Sequence, residues 1–354
     1  MRRRKLAILI ALLLVAIAIG AIVYLRRRAA PETVRLLPSQ ADAVVYVDVQ
    51  TIRRAVTLFG KAPAVPHDPE YDNFIRQTGF EFERDLDQAA FAVHAPPLTP
   101  GGPPPAAEDV RSSEIFVGRF DSDRLSAFLA GLASSSERYH NVDIYSIPNQ
   151  GHLVRVAILG LTTVAVSNSE DPQPIHEMID HYVESALPVR GPLLVRDHYH
   201  DVPLGSVVWA IAQVPEENGT SGLTVPALLR TLAPGASLVA SLRYTGSMQF
   251  RVEAFAKNEE QARKITENAG TMLSIFRGVE SGAQMGGPDP DVKAFFDSIA
   301  VSQEGNRAIL RATFTQGFLQ KALSEAPVSA APEPTPPARE KSTPKRGSKS
   351  KTQR

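Results

Sequence analysis

Apolar and polar positions divide this chain into two unlike parts. From Leu6 to Leu25 the sequence is an unbroken apolar run, closed by Arg2, Arg3, Arg4 and Lys5 on one side and by Arg26, Arg27 and Arg28 on the other. Twenty helical residues rising about 1.5 Å each reach roughly 30 Å, the thickness of a bilayer's hydrocarbon core. The pattern predicts one N-terminal transmembrane helix within a basic-flanked anchor, residues 1–28. A cleaved signal peptide has a shorter apolar region and small residues at its cleavage site. This chain carries three arginines there.

Beyond the anchor the apolar residues fall into short bursts with alternating periods. Ala43 to Val49 and Ile115 to Phe120 read as strands, followed by amphipathic helices over Thr51 to Phe59 and Ser122 to Leu132. Three places read as hairpins with helices. Val154 to Leu159 turns at Gly160 into Leu161 to Val166, before a helix from Gln173 to Ser185. Leu238 to Tyr244 turns into Met248 to Phe255, where Met248, Phe250, Val252 and Ala254 alternate with Gln249, Arg251 and Glu253. Asn258 and Gln261 open the next helix as a variant capping box. Ile299 to Gln303 returns through Arg307 to Phe314, with a short closing helix over Phe318 to Leu323.

The expected fold class is therefore α+β: the transmembrane helix, then two layers, each an antiparallel sheet with helices on one face, built from a duplicated hairpin-helix unit. Prolines and glycines between Pro188 and Pro203 suggest a boundary between a first domain, 29–190, and a second, 191–325. Pro96 to Ala107 is a Pro/Gly-rich loop within the first, and 326–354 is a basic tail too poor in large apolar residues to fold.

Charge sharpens this division. The formal net charge is zero, from 38 basic and 38 acidic residues. Setting aside seven basic residues in 1–28, and seven basic and two acidic in 332–354, leaves 24 basic and 36 acidic, so 29–331 carries −12. An acidic body disfavours nucleic acid, while the tail suits an anionic polymer. The positive-inside count, four basic residues before the run against three after it, favours a cytoplasmic N-terminus and an exported C-terminal region at the plasma membrane. The absence of cysteine excludes disulfides, thiolate metal sites and cysteine nucleophiles.

Leu37, Pro38 and Ala41, followed by Val44-Val45-Tyr46-Val47-Asp48-Val49 just past a membrane span, resemble uncharacterised bacterial single-span proteins with an exported α+β region. The resemblance implies an envelope location and carries no catalytic residues with it.

Candidate chemistry is sparse. Asp197, His198, His200 and Asp201 form the strongest metal-like cluster: on a strand, His198 and His200 would share a face and chelate a divalent cation, with the carboxylates as ligands or orienting groups. The competing reading is a solvated linker. His176, Glu177, Asp180 and His181 fall one position out of the His-Glu-x-x-His zinc pattern and read as an exposed polar helix face. No nucleophile elbow, phosphate loop or dinucleotide fingerprint is present. Asp289-Pro290-Asp291 and Asp121-Ser122-Asp123 read as helix starts, and Asn218-Gly219-Thr220 as a turn. The expected function is a non-enzymatic, membrane-anchored envelope protein that binds a protein or envelope component and needs no cofactor. Its lipid partner is the bilayer around residues 6–25. The alternatives are a metal-dependent hydrolase using His198 and His200, and a cytoplasm-facing nucleic-acid binder using the tail.

Overall fold

The computed structural model describes residues 29–59, 67–94, 110–149, 151–184, 191–216, 225–283, 290–315 and 317. The expected span at 6–25, the 96–107 loop, the 218–220 turn, the 318–323 helix and the 326–354 tail lie outside them. Among the described residues no helix is long and apolar enough to cross a membrane.

In chain order the elements are α1 (Glu32–Arg35), β1 (Ala43–Asp48), α2 (Val49–Phe59), α3 (Pro69–Thr78), α4 (Phe82–Asp85), β2 (Leu86–His94), β3 (Arg111–Gly118), α5 (Ser122–Leu132), β4 (Ser135–Tyr139), β5 (Val142–Asn149), β6 (His152–Leu159) and β7 (Thr163–Ser167). There follow α6 (Gln173–Val183), α7 (Leu193–His198), a 3-10 turn (Tyr199–Asp201), β8 (Ser206–Gln213), α8 (Val225–Leu232), β9 (Ser237–Tyr244), β10 (Met248–Phe255), α9 (Glu259–Ala283), α10 (Pro290–Ser298), β11 (Ala300–Glu304) and β12 (Arg307–Phe314).

All twelve strands join one antiparallel sheet, ordered β11-β12-β10-β9-β8-β1-β2-β3-β7-β6-β5-β4. The expectation of two separate layers built from a hairpin-helix repeat is thereby corrected. The seam is the β1–β8 pair, in which Val44, Val45 and Tyr46 face Ile211, Ala210 and Trp209. Strand β1 bears apolar residues on both faces, as a strand covered on both sides does, and it pairs on both edges, with β2 and with β8. Outward from the seam, β1-β2-β3-β7-β6 and β8-β9-β10-β12-β11 have the same order, and β4–β5 extends the first arm. The topological repeat is thus two-fold, with a larger unit than any hairpin followed by a helix.

Pairing register assigns side chains to faces. Tyr46, Ala90, Ile115, Ala165, Ala157, Trp209 and Ile211 belong to one core with Ile175, Met178 and Ile179 of α6 and Val195 of α7. On the opposite face of the first arm, Leu125 and Leu129 of α5 cover Val156 and Val164. In the second arm Ala262 and Ile265 of α9 cover Leu238, Ala254 and Ala308. Burying each large aliphatic side chain contributes about 1.5–3 kcal/mol. The other face of β10 is polar, as the alternation indicates, yet Glu253 is only 3% exposed. Arg251 at 2.8 Å and Arg307 at 3.4 Å neutralise it.

Local signals place the helices. An aspartate just before a helix can accept from an otherwise orphaned amide of its first turn. Asp121 accepts from the Arg124 amide at 3.1 Å and starts α5. Asp68 does the same for α3 through the Tyr71 amide at 2.7 Å. Asn258 caps α9 through the Gln261 amide, while the Gln261 side chain reaches back to the Lys257 amide, each at 2.9 Å.

The short α4 ends in Asp85, whose carboxylate receives Arg84 at 2.5 Å, Arg119 at 3.1 Å and the Glu81 amide at 3.1 Å. The hydrogen bond from Arg84, helped by the Glu81 amide and the Arg119 charge, holds the Asp85 carboxyl below its usual range. Such a group stabilises the fold above the unfolded carboxylate value and loses that contribution as pH falls through its depressed folded value. Because both arginines are more than half exposed, Asp85→Asn is expected to lower stability by only about 1 kcal/mol at pH 7. Urea midpoints should fall less steeply below about pH 4 for Asp85→Asn than for the wild type. Parallel curves would remove Asp85 from the acid response.

Candidate functional site: a cleft on the seam

Alternation along β1 puts Tyr46 and Asp48 on the same face as core residue Val44. Asp48 ends the strand and caps α2, accepting from the Thr51 amide at 2.8 Å and the Thr51 hydroxyl at 2.9 Å. Across the seam Trp209 lies directly opposite Tyr46, with ring centroids 5.6 Å apart and planes at 26°. Tyr199, from the 3-10 turn after α7, leans on the indole at 5.4 Å and 60°. The chain then turns through Pro203 and Gly205 to enter β8. These elements form a cleft of about 290 Å³, with Pro31, Tyr46, Asp48, Tyr199, His200, Asp201 and Trp209 among its walls.

The histidine–aspartate cluster expected from the sequence reaches this cleft in part. It is helical, so His198 and His200 do not share a strand face: Pro192 precedes α7, His198 closes it and His200 lies in the 3-10 turn. Both rings nevertheless approach the same oxygen, Asp201 Oδ2, from His198 Nδ1 at 3.4 Å and from His200 Nε2 at 3.4 Å. The Asp201 side chain is 13% exposed and that of His200 67%. Asp197 is exposed on α7 and does not line the cleft. Among the described residues no group of three or more His, Cys, Asp or Glu is arranged to hold a metal ion.

No sequence pattern marks these aromatic groups as site residues. Tyr46 is 5% and Trp209 2% exposed; among the described residues neither the Tyr46 hydroxyl nor the Trp209 indole N–H makes a hydrogen bond to the protein, and both tips open to the cleft rather than being sealed in the core. Burial raises the Tyr46 phenol well above the ordinary tyrosine value, with the Asp48 charge adding to it. Burial likewise raises Tyr199. Both phenols therefore stay protonated near neutral pH and keep their donors. The signal available in the sequence was the chain's only tryptophan in a strand, which by itself reads as core.

The second cluster is a set of structural ties. Glu177 accepts from the Ser39 amide at 3.0 Å and hydroxyl at 2.5 Å. His181, 7% exposed, directs Nδ1 at the Leu37 carbonyl at 3.0 Å and Nε2 at Glu177 at 3.8 Å. His176 contacts Glu137 at 3.1 Å and stacks on Tyr139 at 4.2 Å, while Asp180 accepts from Tyr139 at 3.1 Å and faces His140 at 3.3 Å. Helix α6 is thus tied to the segment before β1 and to the β4–β5 hairpin, rather than presenting a solvated polar face.

A serine–histidine pair occurs elsewhere. His94 Nε2 and Ser113 Oγ are 3.1 Å apart, and burial pushes the imidazole below its ordinary value. Ser113 is 0% exposed, so its hydroxyl has no access to a substrate.

No family model matches the chain, and no curated protein matches it. Solved structures of TP0453 align over most of it. Crystal form III gives a TM-score of 0.45 at 12% identity, covering 83% of this chain and 98% of that one. Form IV gives 0.42 at 13% identity, covering 84% and 98%, and form I gives 0.40 at 11%, again covering 84% and 98%. Similarity at this level carries no functional argument, so function has to be read from the cleft itself.

Proposed function

We propose that this chain is a single-span envelope protein, held in the plasma membrane by residues 6–25, whose exported body binds a protein or other envelope component without transforming it. The observation that carries the reading is the pair of protein-unpartnered polar tips, on Tyr46 and Trp209, at a cleft wall more than nine-tenths buried. Both tips reach the open space of the cleft, where a bound ligand can take the place of water as their hydrogen-bond partner.

The same walls are poorly equipped for catalysis. Nucleophilic chemistry needs a hydroxyl within hydrogen-bond reach of a base. The cleft's serine, Ser206, instead donates to the Pro203 carbonyl at 2.6 Å, and both Asp48 oxygens already serve the α2 cap. The rival hydrolase draws its support from the convergence of His198 and His200 on Asp201.

Two measurements test the reading. Capture from detergent-solubilised membranes with the full chain is expected to recover a partner that Asp201→Asn weakens by roughly tenfold. Metal analysis of the same preparation is expected to find no stoichiometric zinc. One zinc per chain, lost on His198→Ala and His200→Ala, would replace the binding reading with the hydrolase.

A further inference from the structure

We infer that the seam cleft is a recognition site for a primary alkylammonium group, a small organic amine in its protonated form. The inference rests on the binding reading above and names the ligand class of that site.

Among the described residues the cleft is lined by two carboxylates, Asp48 and Asp201, with His200 beside Asp201 and no lysine or arginine. An anion would meet two like charges at short range in a partly dry site, where electrostatic interactions are much stronger than in water. A cation meets two opposite charges. Asp201 is the better anchor, because its two histidine contacts both fall on Oδ2 and Oδ1 has no partner among the described residues.

Tyr46 and Tyr199 each pack on Trp209, and ring faces attract cations through their quadrupoles. The hydroxyls of Tyr46 and Tyr199 also accept hydrogen bonds. A primary ammonium offers three N–H donors, equal in number to the acceptors that Asp201 Oδ1 and the two phenol oxygens bring to the cleft. A quaternary ammonium offers none. The indole N–H of Trp209 remains as a donor for an oxygen on the amine's carbon chain, so an amino alcohol fits better than a bare alkylamine.

The cleft volume of about 290 Å³ suits a headgroup-sized molecule. It lies at the small end of the range for ligand pockets. Pro31 lines the cleft and lies shortly after Leu25 in the chain. The extended backbone between those two residues reaches at most roughly 20 Å. With residues 6–25 in the bilayer, the cleft stands within reach of lipid headgroups. The ammonium can therefore come from a phospholipid headgroup or from a free amine, and the test separates these sources.

The chain contains one tryptophan, and it lines the cleft, so its emission reports occupancy directly. The full chain in non-ionic detergent is titrated with ethanolamine, with choline as the quaternary comparison and glycolate as the anionic one. Ethanolamine is expected to shift the Trp209 emission saturably. Tyr199→Phe should weaken this by about threefold to tenfold and Asp201→Asn by about tenfold to a hundredfold, with far-UV circular dichroism unchanged. In nanodiscs, a shift with phosphatidylethanolamine but not phosphatidylglycerol identifies a lipid source, and a shift only with free amine identifies a soluble one. Either result supports the site. Glycolate matching ethanolamine, choline binding more tightly than ethanolamine, or no saturable shift from a folded protein would overturn it. If ethanolamine fails while Asp201→Asn still weakens membrane capture, the ligand class falls and the binding reading stands. If both fail, the cleft loses both roles.

Discussion

Trp209→Ala is expected to cost about 3–5 kcal/mol of folding stability, the range for removing a large buried aromatic. The residue is 2% exposed and packs on Tyr46 and Tyr199, in the strand that closes the seam. Its loss leaves a cavity bordered by strands of both arms, so the surroundings cannot collapse without moving one arm against the other. Urea unfolding followed by circular dichroism is the measurement. A single transition at lower urea would show that the arms unfold together. Two transitions would show that Trp209 couples two units which otherwise unfold separately. A loss below about 1 kcal/mol would mean that the seam is held by its backbone ladder alone.

The second large effect is expected from Gly191→Ala. Gly191 has φ of +99°, and a β-carbon there would lie 2.8 Å from Arg35 Cα and 3.3 Å from the Val34 and Arg35 carbonyl oxygens. The obstacle is backbone, so no side-chain rotation relieves it. Backbone strain alone costs about 1–3 kcal/mol, and displacement of α1 adds to this. Gly246→Ala provides the comparison: its φ is +89°, but nothing lies within 4 Å of the added carbon. The difference between the two thermal midpoints isolates the close approach. Equal midpoints would show that α1 moves aside freely and that the contact is dispensable.

These residues also show how far the sequence could be read. The Ser122–Leu132 helix was legible because Asp121 caps it, and the β9–β10 hairpin because period-two alternation survives wherever one face is polar. Such signals are local. The β1–β8 pairing is not, since nothing near Tyr46 specifies a partner as remote along the chain as Trp209. The β4–β5 hairpin was missed because it begins with exposed polar residues, Ser135 to Arg138, and gives no apolar run. The cluster at 197–201 was found by residue type but misplaced by assuming a strand. Tyr46 and Trp209 are not legible as site residues, because a largely buried aromatic in a strand looks like core until the structure shows its polar tip open to a cleft.

The seam has a consequence for the order in which the protein becomes whole. Strand β1 emerges early, and its β8 neighbour only after more than a third of the chain has followed it. At about 5–20 residues per second, that interval lasts on the order of 10–30 s of synthesis. Throughout it, one edge of β1 offers bare amides and carbonyls to any other strand nearby. A newly made chain is therefore most vulnerable to mispairing during its own production, and whatever shields β1 in those seconds governs how much of it matures.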